Sequence, residues 1–96
     1  MGVVAVVKRE CPTCVLVAPV LAELRAAGVD ITVYTQDDPS FPDGLDPVDD
    51  TALDESYRLG IETVPTLIAG DRRVVGWQRS QWEDLTGVDG LGAGLP

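Results

Sequence analysis

Histidine is absent from this chain, and that single absence removes several chemistries. Ser-His and Cys-His nucleophilic pairs are excluded, and so are metal sites built on imidazole. Bases are scarce, with seven Lys and Arg against sixteen Asp and Glu for a net charge of −9. A nucleic-acid interface needs a basic face, so no nucleic-acid partner is expected. No apolar run approaches the ~20 residues that cross a bilayer, so no membrane partner is expected either. The opening run, residues 1–7, lacks the basic start and cleavage site of a signal peptide. Val6 stands where a myristoylation signal wants Ser or Thr. A cytoplasmic monomer is the expectation. Cysteine is limited to Cys11 and Cys14, too few for a tetrahedral zinc site within one chain unless two copies share their pairs. No metal and no cofactor are expected.

Ninety-six residues support one small core. Residues 1–7, with a run from Val3 to Val7 that is β-branched except at Ala5, read as a strand buried on both faces. From Pro12, the apolar residues Val15, Leu16, Ala18, Leu21, Ala22 and Leu24 recur at helical spacing, and Gly28 supplies a stop. Pro12 suits a first helical turn, whereas Pro19 interrupts the helix interior. A second strand, Ile31 to Thr35, follows after a short connection, which makes a parallel βαβ unit. Residues 36–50, crowded with Asp, Pro and Gly, read as a long solvated acidic loop. Asp50 or Thr51 is expected to cap a short helix ending near Leu59, with Leu53, Tyr57 and Ala52 facing inward. Thr66–Ala69 and Arg73–Val75 form a hairpin about Gly70-Asp71. Ser80-Gln81-Trp82-Glu83 has capping-box form and opens a last helix, with Trp82 packed beneath it. The expected architecture is α/β, with a four-stranded mixed sheet in a domain spanning 1–86. The glycine-rich segment 87–96 is expected to be a linker or disordered end.

Cys11-Pro12-Thr13-Cys14 stands where the first strand gives way to the helix. Two thiols at this spacing close into a disulfide and reopen. The free N–H groups and positive dipole end of the helix favour the first sulfur as thiolate, the attacking species. A bridge this short removes little chain entropy, so the pair reads as chemical rather than architectural. The plainer alternative is two inert core cysteines acting as small hydrophobes. Some fifty residues later comes Thr63-Val64-Pro65-Thr66, which taken alone is an ordinary proline at the start of a strand.

Together these motifs resemble the thioredoxin family. Residues 11–21 are similar to the thioredoxin active-site helix, including the proline five residues after the second cysteine. Residues 57–67 resemble the segment that leads into the family's cis-proline strand, and Gly76 matches the glycine after its hairpin. The resemblance covers residues 3–86 and implies a thioredoxin-like fold with a cis Val64–Pro65 bond beside the cysteines. It implies a thiol–disulfide oxidoreductase in which Cys11 attacks protein disulfides and Cys14 resolves the mixed disulfide. Its partners would be disulfide-containing proteins, with a reductase or small thiol as electron donor. Thr13, Val64, Pro65, Gly76 and Trp77 are the expected substrate contacts. Thr13 stands equally well as a donor to the sulfur or as a solvated turn residue, and Trp77 as a surface aromatic or as packing.

Departures from the family are specific. Glu10 stands where thioredoxins carry Trp, Ala5 falls at the position of their buried acid, and the second strand has no lysine. The short hairpin and the Cys-Pro-x-Cys form resemble glutaredoxins, but the paired Asp of their glutathione site has no counterpart near residues 76–78. A glutaredoxin-like enzyme using small thiols is the alternative. A redox-responsive binding module docking through the acidic loop 37–50 is the reading from outside enzymology.

Overall fold

A computed structural model describes residues 2–96; Met1, at the head of the run read as a strand, lies outside the described residues. β1 (Val3–Val7) buries four of its five side chains, as a strand covered on both faces must. α1 (Pro12–Ala26) begins with Pro12 in its first turn, where a missing N–H costs nothing, and runs on through Pro19, whose ring lies on the exposed side. β2 (Ile31–Thr35) pairs parallel with β1, from Val3 opposite Ile31 to Val7 opposite Thr35. β3 (Val48–Asp49), α2 (Asp54–Leu59), β4 (Thr66–Ala69), β5 (Arg72–Val75) and α3 (Arg79–Thr86) follow. The sheet order is β3-β2-β1-β4-β5, with β4 antiparallel to both β1 and β5. The sheet therefore has five strands rather than four. The added strand, β3, is two residues with exposed side chains, held to β2 by backbone pairing alone, so no hydrophobic pattern announces it.

The core joins one stripe of α1 to the sheet and α3. Cys14, Val17, Val20, Leu21 and Leu24 are fully buried, alongside Val33, Leu67 and Trp82. The expected inward positions Val15 and Leu16 are instead 50% and 38% exposed. α1 is apolar around much of its circumference, so spacing alone does not select the face that packs.

α2 also departs from expectation. Leu53 is 47% and Tyr57 89% exposed, Ala52 is exposed, and the buried side chain is Ser56. Polar bonds rather than an apolar stripe seat this helix. The Asp50 carboxylate accepts from the Glu55 and Ser56 amides and the Ser56 hydroxyl, and Gln36 donates to Ser56 Oγ. Asp50 thus satisfies the free N–H groups of the first turn without occupying the cap position, which is Leu53.

Two segments expected to be loose are packed. In the 36–50 loop, Phe41 and Leu45 join the core, and the Arg25 guanidinium binds the carbonyls of Leu45 and Ile31. The segment 87–96 is likewise no free end, because Leu91 is 1% exposed. Arg79 donates to the carbonyls of Leu91, Gly92 and Leu95 and lies over the Trp77 ring at 5.7 Å. Glu83, expected to close a capping box with Ser80, instead accepts from the Gly90 and Leu91 amides, and α3 begins after Gln78 without a side-chain cap. Gly92 shows why glycine is needed here: its φ is +61°, and a Cβ would lie 2.9 Å from Trp77.

Arg79→Ala is expected to free this segment. Hydrogen exchange at Gly90, Leu91 and Gly92 should accelerate, and urea unfolding should show a loss of about 1–3 kcal/mol from carbonyls stripped of a charged donor.

Candidate active site

Because β1 and β2 run parallel, the chain leaves both at the same edge of the sheet, where open α/β sheets place their ligand sites. The segments after Val7 and Thr35 therefore emerge side by side. The Asp37 carboxylate exploits this, accepting the Arg9 amide at 2.7 Å and the Glu10 amide at 2.9 Å. It holds the three-residue approach to Cys11 in place. Arg9 turns away from the cysteines toward Asp38 and Asp43, with its guanidinium 5.0 Å over the Phe41 ring. Two hydrogen bonds from Ser40, helped by Arg9, hold the Asp38 carboxyl down at about 2, so it stays anionic.

Cys11 is the N-cap of α1, with extended backbone (φ −149°) and a half-buried side chain. Its Sγ accepts the Cys14 amide at 3.1 Å, and its thiol faces the Val64 carbonyl at 3.7 Å. Both cysteines are free thiols. Cys14, one turn further, is fully buried, and that burial pushes its thiol up to about 12. The hydrogen bond with Cys11 adds to the rise, while the backbone amide and charge of Lys8 offset part of it.

The Val64–Pro65 peptide is cis, and the Val64 carbonyl comes up to Cys11 from the start of β4. Gly76 donates its amide to the Pro65 carbonyl at 2.8 Å, and its own carbonyl accepts the Trp82 indole N–H. Lys8, Glu10, Cys11, Gln36, Glu62, Thr63 and Val64 line a polar cleft of about 340 Å³.

The structure thus brings Cys11, Cys14, Val64 and Pro65 together. It does not bring in the rest of the expected set. Thr13 is exposed and makes no hydrogen bond to Cys11 among the described residues. Gly76 braces Pro65 from behind rather than lining the cleft. Trp77 stands edge-on to Trp82 at 5.0 Å and donates to the Pro96 carbonyl, so the C-terminal segment occupies it. Asp37 and Gln36 went unrecognised in the sequence. The parallel register was the available signal, since it sets whatever follows Thr35 beside whatever follows Val7. No group of three or more Cys, Asp or Glu among the described residues is placed to hold a metal ion.

Iodoacetamide at neutral pH should label one thiol per folded, reduced chain, at Cys11, and Cys14 should react only after unfolding. A second expectation concerns alkaline stability. The folded Cys14 thiol titrates above its unfolded value near 9, so the unfolded chain holds fewer protons between that value and about 12. The stability tied to Cys14 is complete below pH ~9 and is lost as pH rises toward ~12. Urea titrations across this window should show a steeper decline for the reduced native chain than for Cys14→Ala.

No family model matches the chain, and no curated protein matches it. Among solved structures, the chain is similar to a glutaredoxin from Archaeoglobus fulgidus, with a TM-score of 0.57 and 22% identity over 88% of this chain and 84% of that one. Likeness at that identity speaks to architecture, and the architecture is a thioredoxin-like fold.

Proposed function

We propose that the chain is a dithiol–disulfide oxidoreductase acting on protein disulfides. The observation that carries the reading is the Cys14 amide aimed at Cys11 Sγ from 3.1 Å at the first turn of α1. A donor so placed, with the helix dipole behind it, faces the charge that the sulfur bears when it attacks.

The reaction balances as two exchanges. Cys11 thiolate attacks one sulfur of a substrate disulfide, that S–S bond breaks, and the other sulfur departs as thiolate. Cys14 then attacks Cys11 in the mixed disulfide. The Cys11–Cys14 bond forms, the second substrate sulfur is released, and the Cys14 proton passes to a departing substrate thiolate. Two electrons have moved to the substrate, and a reductase or small thiol restores the dithiol. The backbone of Val64, beside Cys11 and outside any strand, is suited to pair with an extended substrate segment, while Pro65 shapes the surface behind it.

A second reading draws on the cleft beside Cys11, whose volume of about 340 Å³ is of the size that takes a small ligand. In that reading a low-molecular-weight thiol resolves the mixed disulfide in place of Cys14.

Dithiothreitol-driven reduction of insulin separates the outcomes. Cys11→Ser should abolish turnover, with a loss on the order of 10³-fold or more. Cys14→Ser should accumulate a mixed disulfide and stall. Sustained turnover of Cys14→Ser with glutathione would instead favour the second reading, and full activity of Cys11→Ser would defeat both.

A further inference from the structure

The cleft that holds Cys11 is charged in one direction. Its lining contains two carboxylates, Glu10 and Glu62, against the single ammonium of Lys8. Neither carboxylate makes an ion pair among the described residues, so neither is neutralised from within the fold. Arg9, the nearest other cation in sequence, is spent on Asp38 and Asp43. Asp37 is fixed against the Arg9 and Glu10 amides just before Cys11. The cleft lining together with Asp37 therefore carries three carboxylates, Glu10, Asp37 and Glu62, against the single base Lys8. The whole chain, at −9, reinforces that sign rather than opposing it.

We infer that this site selects disulfides flanked by positive charge, such as cystines next to Lys or Arg, and discriminates against anionic disulfides such as oxidised glutathione. This inference rests on the exchange reading above and narrows its substrate class. The physical reason lies in the encounter and in the transition state. Attack spreads one negative charge over three sulfurs in line, beside carboxylates that the fold leaves unpaired. A cation on the substrate offsets that charge, whereas an anion adds to it.

The test uses the full reduced chain and three small disulfides of similar size. These are cystamine, with two ammonium groups; bis(2-hydroxyethyl) disulfide, which is neutral; and 3,3′-dithiodipropionate, with two carboxylates. Second-order exchange rates at Cys11 are each divided by the rate of the same disulfide with free 2-mercaptoethanol, which removes intrinsic reactivity. At about 10 mM salt the normalised rates should fall from cystamine to dithiodipropionate by about tenfold, and at about 1 M salt the spread should collapse to about twofold. The double variant Glu10→Lys/Glu62→Lys, altered only at exposed positions, should reverse the order. Asp89→Asn, changed at an exposed carboxylate outside the cleft lining, should leave it alone. Rapid but charge-blind exchange, or a preference for the dianion in the native chain, overturns the selectivity and leaves the redox reading standing. Failure of all three disulfides to react with Cys11 overturns the redox reading itself.

Discussion

Complete burial of the Cys14 side chain is the constraint from which the site follows. It belongs to the same stripe of α1 as Val17, Val20, Leu21 and Leu24, so packing that stripe sets the rotation of the helix about its axis. Once the rotation is set, the residue three positions earlier lies just ahead of the first helical turn, in extended backbone and half open to solvent. One packing decision therefore makes two chemically unequal sulfurs from two identical side chains. The inner one is held protonated by desolvation, and the outer one faces the free amides of the first turn. Exposure of Val15 and Leu16 is the other consequence of that rotation.

The second layer of organisation comes from the parallel pairing of β1 and β2. It sets Asp37 under the backbone of Arg9 and Glu10, where a carboxylate accepting two amides orders the approach to the outer sulfur. Acidic residues perform the same service elsewhere: Asp50 seats α2, while Glu83 and Glu23 receive amides of the C-terminal segment. Much of the negative charge of this chain thus acts as acceptor for backbone N–H groups that would otherwise lack partners. The electrostatic sign of the mouth is partly a by-product of how the loops are held. Selectivity by charge would then come at no extra structural cost.

What the sequence made legible follows the strength of the local signal. The β-branched run from Val3, the short connection to Ile31 and the Gly70-Asp71 turn specify strands and pairing with little competition, and the sheet formed as they require. Cys11, Cys14, Val64 and Pro65 were visible as motifs and lie together. Most of the failures share a cause, since they concern segments that no apolar pattern of their own seats. α2 has no apolar stripe and depends on Asp50 and Gln36. β3 depends on the edge of β2. The segment 87–96 looked loose because glycine composition does not distinguish a flexible chain from one folded through left-handed turns. Only the contacts with Trp77, Arg79 and Glu83 make that distinction.

The position at which the resemblance to thioredoxins implies a buried acid is Ala5, itself only 1% exposed. The buried polar side chains are Thr35, Asp50, Ser56 and Thr66, and the one carboxylate among them is committed to α2. No buried acid among the described residues is thus left to accept the inner thiol's proton, and the cation Lys8 acts on that thiol against the opposing charge of Cys11. In the proposed cycle the proton must therefore leave toward the substrate or solvent, at the stage when the mixed disulfide has just released a thiolate beside it. Where it leaves toward the substrate, resolution in that cycle would be coupled to departure of the first substrate sulfur rather than to an internal relay. Lys8 lines the same cleft, so one side chain both moderates the buried thiol and supplies the lining's single positive charge. Loss of that charge would therefore disturb both proton transfer at the inner sulfur and the charge balance met by an incoming disulfide.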